Sequence, residues 1–195
     1  MPLADDLKGK GRPFPGGNFI VKIQPMPQEV TLGLIKPDGL KKSLTGNILT
    51  KLSEAKLIIV GAKVTRPSRE LAEEHYQHLK EKPFFGEIID YIQGKVHGHP
   101  YDRILALVYM GDNAIEKVRK IVGATNPEEA EPTTIRGAYG RILTTGIFEN
   151  VVHASSDSKD AEREVKLWFS PDELVNDLFP TKDNSPNNHK IRSWA

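Results

Sequence analysis

Apolar side chains recur along the chain at two spacings, one typical of strands and the other typical of helices. Val30, Leu32 and Leu34 share one face of a predicted strand, which ends at Lys36 just before a predicted turn at 37–39. Other apolar stretches have the length and composition of buried strands. The predicted strands cover residues 30–36, 57–64, 104–109 and 150–153.

Apolar residues three and four positions apart predict amphipathic helices elsewhere. Ser43, Ser68 and Ser158 are candidate N-caps, and Gly123 lies where a glycine commonly ends a helix. Thr125–Gly137 has two prolines and no periodicity, so we expect a loop there, and loops of this length are usually functional or disordered. The predicted helices cover residues 44–55, 71–79, 84–92 and 114–121, with a last helix over 161–169.

The order of these elements is strand, helix, strand, two helices, strand, helix, loop, strand and helix. This alternation is typical of a layered α/β or α+β domain. Residues 1–29 hold five prolines and four glycines with little periodicity, and the end of the chain is similar. We therefore predict an extended N-terminal arm at 1–29, a folded body at 30–178 and a C-terminal tail at 179–195.

Composition excludes several classes of protein. The 195 residues include no cysteine, which excludes a disulfide scaffold, a thiolate nucleophile, a zinc finger and an iron–sulfur cluster. Lys and Arg total 27 against 26 Asp and Glu, so net charge gives no argument for a nucleic-acid partner. No apolar run approaches the roughly 18 residues of a membrane span, and we expect a cytoplasmic protein without a membrane partner.

The sequence also lacks both glycine-rich phosphate-binding patterns, so any nucleotide chemistry must depend on side chains. Candidates surround the long polar loop, and a lysine lies at a strand end. Guanidinium, ammonium and hydroxyl groups are the donors that phosphoryl oxygens require. The candidates are Lys36, Arg119, Thr125, Arg136 and Asn150.

His153 ends an apolar strand and is followed by small and hydroxyl side chains, a position that suits a nucleophile. Imidazole has an ordinary pKa near 6.5, so at neutral pH it is mostly uncharged and keeps a nitrogen lone pair. A carboxylate that accepts the other ring N–H would select the tautomer, and Glu164 on the following helix could supply it.

Each of these residues also has an ordinary structural interpretation when taken alone. A single histidine is more often a surface or satisfied core residue than a catalytic one, and exposed cations usually form weak ion pairs. Phe84 could be a core residue, and Asn150 could cap a turn. His97 and His99 have a His-x-His spacing without an evident third ligand, so we expect a solvated loop rather than a metal site.

Seven ordered motifs together resemble the nucleoside diphosphate kinase family over roughly residues 30–174. Several motifs in a fixed order are far more specific than one short pattern. The motifs are Ile35–Gly39, Glu74–Tyr76, Lys82–Phe85, Gly123–Pro127, Thr134–Gly137, Asn150–Ser155 and Trp168–Leu174.

The resemblance implies an α+β fold, a ferredoxin-like β-α-β-β-α-β sandwich with an antiparallel four-stranded sheet and added helices. It implies a ping-pong kinase that moves the γ-phosphoryl group of ATP or another nucleoside triphosphate to a nucleoside diphosphate. Mg²⁺ would bridge the nucleotide phosphates without a direct protein ligand. The family also implies a homo-oligomer, expected as a hexamer, with a tetramer as the other known form.

The same resemblance assigns roles to particular residues. His153 corresponds to the phosphorylated histidine, and Phe84 to the side chain that stacks on the base. Tyr76 and Glu164 would orient His153, and Ser155 would hydrogen-bond to Glu164. The residues that correspond to phosphate and sugar contacts are Lys36, Arg119, Thr125, Arg136 and Asn150.

The chain departs from the family pattern in three places. Segments 93–103 and 138–149 are longer than usual, and the second separates Arg136 from Asn150 in the sequence. Ser156 stands where the family commonly has an aspartate.

Two other functions are consistent with the same motifs. A catalytically silent, nucleotide-binding regulatory protein of ferredoxin-like fold would keep the pocket without turnover. A phosphohydrolase would use water as the acceptor and would release phosphate without a nucleotide acceptor.

Overall fold

The computed structural model describes residues 28–184 and 191–195. Its strands are β1 Glu29–Ile35, β2 Ile58–Thr65, β3 Ile104–Gly111, β4 Arg141–Ile142, β5 Phe148–Glu149, β6 Val152–Ala154, β7 Thr181–Asn184 and β8 Ile191–Trp194. Its helices are α1 Pro37–Lys41, α2 Thr45–Ser53, α3 Arg69–His75, α4 Phe85–Ile92, α5 Ala114–Val122, α6 Ile135–Tyr139 and α7 Ser158–Trp168. Single 3₁₀ turns follow α3 and α7, at Gln77–Leu79 and Pro171–Glu173.

Four strands form an antiparallel sheet in the order β2-β3-β1-β6, with β1 and β3 at its centre. This order and the helical crossovers are those of the ferredoxin-like sandwich, so the predicted α+β fold is confirmed. The four predicted strands were located to within about two residues at either end. The apolar side chains of β1 and β3 suit their central position, because helices cover both faces of the sheet there.

Alternate residues of the central strands face two separate helical layers. Leu34 and Ala106 belong to a core with α3, α4 and α7, whereas Ile35 and Leu107 belong to a core with α2 and α5. All four are at most 3% exposed. Helices α3, α4 and α7 are the additions that cover the face opposite α2 and α5.

Side-chain caps explain where several helices begin. Ser68 accepts a hydrogen bond from the backbone N–H of Leu71 at 3.1 Å, as expected for the cap of α3. The prediction of Ser158 as the cap of α7 was wrong, because Asp157 caps that helix and its carboxylate accepts from the N–H of Asp160.

Two short helices lie where the sequence indicated only a turn or a loop. Residues 37–39 begin α1, because proline fits the first helical turn. The expected loop Thr125–Gly137 ends in α6, which is capped by the hydroxyl of Thr134. Helices of five residues are too short to show a periodic apolar pattern, which explains why they were missed.

The C-terminal segment packs against the end of α7 through strand β8, which pairs with β7. The indole N–H of Trp194 donates to the carbonyls of Lys166 and Phe169, at 3.1 and 2.9 Å. These carbonyls lie at the end of α7, where the helix itself supplies no donors. The predicted arm at 1–29 lies almost entirely outside the described residues.

Across the described parts of the chain, each helix is too short or too polar to cross a lipid bilayer.

Gly123→Ala is expected to destabilise the fold more than Gly146→Ala. Both glycines have positive φ angles, of 88° and 82°, but only at Gly123 would an added Cβ collide, at 2.3 Å from the hydroxyl oxygen of Thr134. Gly146 would meet nothing within 4 Å. Backbone strain costs about 1 to 3 kcal/mol at either site, and the collision adds a similar amount at Gly123.

The measurement is the urea midpoint of each variant against the wild type. Equal losses of unfolding free energy in the two variants would contradict the close approach of Gly123 to α6.

Candidate active site

His153 lies on β6, paired with Leu34 of the central strand β1. The residue that precedes β6, Val151, has a left-handed backbone with φ of 54°. The carboxylate of Asp38 accepts the N–H of Val151 at 3.0 Å and so stabilises this unusual conformation. The imidazole of His153 is 17% exposed, which leaves one edge accessible to a ligand.

A chain of hydrogen bonds orients the imidazole of His153 through its Nε2 atom. Nε2 of His153 lies 2.9 Å from a carboxylate oxygen of Glu164, and the hydroxyl of Ser155 donates to the same oxygen at 2.7 Å. Ser155 in turn accepts the backbone N–H of Leu32 at 3.1 Å. Since a carboxylate only accepts, Nε2 must carry the proton, and Nδ1 keeps the lone pair.

Burial and neighbouring charge keep His153 neutral. Burial is the largest cause that holds its pKa well below the usual value, and the cations of Lys36 and Arg136 act in the same direction. Burial also raises the pKa of Glu164, although the hydrogen bond from Ser155 opposes this shift. A neutral imidazole with a free Nδ1 has the protonation state of a nucleophile.

Lys36 reaches the site from the end of β1. It is 6% exposed, and its ammonium donates to the side-chain oxygen of Asn150 at 2.7 Å. The amide nitrogen of Asn150 donates to the backbone carbonyl of Thr125 at 2.8 Å. Burial lowers the pKa of Lys36 to about 8, against the opposing charge of Asp38.

Arg136 lies on α6 and is anchored by main-chain carbonyls. Its Nε and Nη2 donate to the carbonyl of Val152 at 3.2 and 3.0 Å, and Nη1 donates to that of Gly123 at 3.0 Å. Burial lowers the pKa of Arg136 to about 10, and the charge of Arg119 adds to this effect. Arg136 therefore lies beside the strand of His153, and the long segment 138–149 folds away as the β4–β5 hairpin without separating Arg136 from this site.

Three further candidates have exposed side chains. Arg119 and Thr125 have exposed side chains, and Phe84 is 44% exposed just before α4. Tyr76 is buried, and its hydroxyl has no hydrogen-bond partner among the described residues. The ring of Tyr76 packs on His75 at 4.6 Å between centroids, so Tyr76 contacts His153 through His75 rather than by a hydrogen bond.

His75 is a residue that sequence reasoning missed as part of the site. Its ring packs edge-to-face on that of His153 at 4.5 Å, and it is 1% exposed. Its Nδ1 accepts the indole N–H of Trp168 at 3.2 Å, and burial holds its pKa well below the usual value. A histidine on the apolar face of a predicted helix, between Glu74 and Tyr76, was the available signal.

Two expectations about the flanking residues have different outcomes. The imidazole of His97 is only 4% exposed and packs edge-to-face on Tyr91, so the expectation of a solvated position was wrong. His99 is 73% exposed, as expected. The hydroxyl of Ser156 hydrogen-bonds to Asp157 and Asp160 on the first turn of α7.

The side chains near His153 fit a metal ion that is carried by a nucleotide. Among the described residues, the one group of three potential ligands is His75, His153 and Glu164, and hydrogen bonds already occupy it. Mg²⁺ prefers oxygen ligands and usually binds through substrate phosphates and few carboxylates. A magnesium ion held by phosphates requires no further carboxylate from this chain.

The arrangement resembles a phosphoryl-transfer site, and comparisons with known proteins agree. The family model of nucleoside diphosphate kinase matches residues 29–174. A curated nucleoside diphosphate kinase of Archaeoglobus fulgidus is 46% identical over 148 residues, which cover 76% of this chain and 91% of that protein.

Solved structures show the same likeness. The enzyme of Halobacterium salinarum in complex with CDP has 39% identity and a TM-score of 0.68, with 76% of this chain and 92% of that chain covered. A transition-state mimic of the Borrelia burgdorferi enzyme, with bound vanadate and ADP, has 30% identity and a TM-score of 0.67, with 76% and 91% covered. Enzymes of this family are phosphotransferases that need a divalent cation. The chain therefore belongs to the nucleoside diphosphate kinase family.

Proposed function

We propose that His153 carries the phosphoryl group in a ping-pong reaction between nucleotides. Nδ1 of His153 attacks the γ-phosphorus of ATP or another nucleoside triphosphate, and the bond from phosphorus to the bridging oxygen breaks. The electron pair leaves on the oxygen of the nucleoside diphosphate. An oxygen of the acceptor diphosphate then attacks the same phosphorus, and the lone pair returns to Nδ1.

The observation that carries this proposal is the hydrogen bond between Nε2 of His153 and Glu164, at 2.9 Å. It leaves Nδ1 unprotonated and directs Nε2–H to a carboxylate, which stabilises the charge that develops on the ring when Nδ1 bonds to phosphorus. Ser155 holds Glu164 in place, and the packing of His75 fixes the plane of the ring.

The proposed roles of the surrounding side chains follow from their charges and exposure. Lys36, Arg119 and Arg136 balance the negative charge on the transferring group, and Thr125 and Asn150 contact phosphate and sugar. Tyr76 is proposed to help orient His153 through the ring of His75, on which it packs. Losing one well-placed donor typically costs roughly 3 to 4 kcal/mol of transition-state stabilisation.

Phe84 is the proposed stacking surface for the base. Its side chain is 44% exposed, which is unusual for phenylalanine and suits a partner that is absent in the free protein. Stacking accepts every base, because each has a π-face. We therefore expect the site to accept nucleotides with different bases.

Magnesium is the proposed cation. When bound with a nucleotide it would neutralise phosphate charge, and no side chain of this chain needs to ligate it directly. Lys36 and Arg136 then contact the phosphate oxygens that the ion leaves free.

The proposal extends to the organisation of the whole protein. We assign the activity to residues 30–178, with the arm 1–29 and the tail 179–195 as additions and 93–103 and 138–149 as inserted segments. A cytoplasmic location is also proposed, from the family resemblance and from the absence of cysteine, which fits a reducing compartment.

Transfer of label from γ-labelled ATP to the protein, with Mg²⁺ and no acceptor, is expected to require His153. His153→Ala should abolish an acid-labile, base-stable label, because the neighbouring His75 is buried and its Nδ1 already accepts the indole N–H of Trp168. His78→Ala is the matched control, since that histidine is exposed, and it should label at the wild-type rate.

The label should pass to a nucleoside diphosphate when one is added, and chelation of Mg²⁺ should prevent its formation. Free phosphate as the only product would identify a hydrolase. Nucleotide binding without any label would identify a silent binding protein.

The pH dependence of kcat/KM for ATP should show a basic limb near pH 8. Lys36 is cationic below its pKa of about 8, so its contribution is present at neutral pH and is lost as the pH rises through that value. Lys36→Arg should move the limb to higher pH, because a guanidinium stays protonated. Lys41→Arg, an exposed control, should leave it in place. A limb that is unchanged in Lys36→Arg would refute the assignment.

We also propose a homo-oligomer, with a hexamer as the expected form. The support on this chain is the edge strand β2, where Ile58, Ile59 and Val64 are 48 to 62% exposed. Exposed apolar residues on an edge strand are a common surface for association. Sedimentation equilibrium should give six times the chain mass of 21.8 kDa. A monomer mass would contradict the proposal, and a fourfold mass would replace the hexamer with a tetramer.

A further inference from the structure

Besides Asp38 and Glu164, a further buried carboxylate lies directly beside the site. Glu149 ends β5, precedes Asn150 in the chain and is 3% exposed. One of its oxygens accepts from Nε of Arg141 at 2.6 Å and lies 3.1 Å from Nζ of Lys42. A carboxylate with this degree of burial is tolerated only when cations or donors compensate it, and here it has both.

The two cations connect Glu149 to different parts of the fold. Arg141 faces Glu149 across the β4–β5 hairpin, so that ion pair stays within one local element. Lys42 immediately follows α1, and α1 begins directly after Lys36. The Lys42–Glu149 ion pair therefore connects the helix that follows Lys36 to the strand that leads into Asn150, over 107 positions of sequence.

Three more contacts join the same two segments closer to His153. The backbone N–H of Lys36 donates to the carbonyl of Val151 at 2.9 Å, and Asp38 accepts the N–H of Val151 at 3.0 Å. The ammonium of Lys36 then donates to Asn150 at 2.7 Å. Because Val151 has the positive φ that β-branched residues avoid, this junction depends on external contacts to keep its shape.

His97 lies next to the second carboxylate oxygen of Glu149. Its Nε2 lies 3.9 Å from the second carboxylate oxygen, and its imidazole packs on Tyr91, which is 1% exposed. Burial lowers the pKa of His97, so the ring covers the carboxylate as a neutral group. Lys42 and Arg141 therefore supply the positive charge around Glu149.

We propose that Glu149 is a positioning residue for phosphoryl transfer and acts with Lys42. The ion pair holds Asn150, and Asn150 holds the ammonium of Lys36 towards the transferring phosphoryl group. This inference rests on the roles proposed above for Lys36 and Asn150. Arg141 compensates the charge of Glu149 from within the same hairpin, and it forms no link to the segment that carries Lys36.

The test is the rate at which γ-labelled ATP phosphorylates His153 in a single turnover, measured at several ATP concentrations. Glu149→Gln and Lys42→Met should each lower the maximal rate about tenfold, since small displacements of positioned groups have large kinetic effects. The ATP concentration at half-maximal rate should change by less than about twofold, because stacking and most phosphate contacts remain. Arg141→Gln, the matched control, should keep the wild-type rate.

Combination with Asn150→Ala separates positioning from a general loss of stability. If Glu149 acts through Asn150, Glu149→Gln should cause no further loss of rate in the Asn150→Ala background. Two losses that multiply would overturn the inference. A lower melting temperature with a normal labelling rate in Glu149→Gln would also overturn it.

The same set of variants distinguishes a failure of the proposed role of Asn150 from a failure of the proposed role of Glu149 and Lys42. A wild-type rate for Asn150→Ala would refute the proposed role of Asn150, and the inference would fail with it. A slow Asn150→Ala beside normal Glu149→Gln and Lys42→Met would refute the inference alone. Lys42 is 26% exposed at its side chain, so Lys42→Met tests the same ion pair even where Glu149→Gln does not fold.

Discussion

The hydrogen bonds to one buried carboxylate organise this protein. Glu164 is 2% exposed, yet its Oε2 accepts from both His153 and Ser155, and Ser155 is bonded to the backbone of the central strand. Helix α7, the sheet and the imidazole of His153 are thus joined at a single oxygen. A buried carboxylate without these donors would be costly, so the packing of α7 and the orientation of the imidazole depend on each other.

The charges and burial around this oxygen set the protonation states of the neighbouring groups at neutral pH. Burial and nearby cations depress the pKa of His153, and burial depresses those of Lys36 and Arg136. Lys36 and Arg136 repel each other in the free site because no anion fully balances their charge. A nucleotide phosphate would reduce this repulsion. The free protein therefore keeps a neutral His153 beside positive charge, which is the electrostatic pattern that phosphoryl transfer needs.

Most of the framework could be predicted because it depends on local patterns. Period-two alternation located β1, and a serine cap located the start of α3. Other features could not be predicted in this way. Helix α6 is too short for a periodic signal, and the burial of His97 depends on Tyr91, which packs on it only in the folded chain.

For the candidate site, too, some features could be predicted from local sequence and others depend on contacts between distant segments. The family motifs suggested candidate residues, including Lys36, Arg136 and His153, because each motif is contiguous in the sequence. They could not show that Nε2 of His153 carries the proton, that His75 packs on its ring, or that Glu149 is buried between two cations. Each of these depends on contacts between segments that are distant in the chain.

The sequence by itself therefore determined the fold class, the family and the chemical groups that are available. Tertiary structure alone decided the tautomer of His153, the direction of each pKa shift and the pairing of Lys36 with Asn150 over 114 positions. The physical reason is that apolar periodicity and caps act over a few residues. Desolvation and Coulomb interactions, in contrast, depend on distances in space, which exist only once the sheet and its two helical layers have packed.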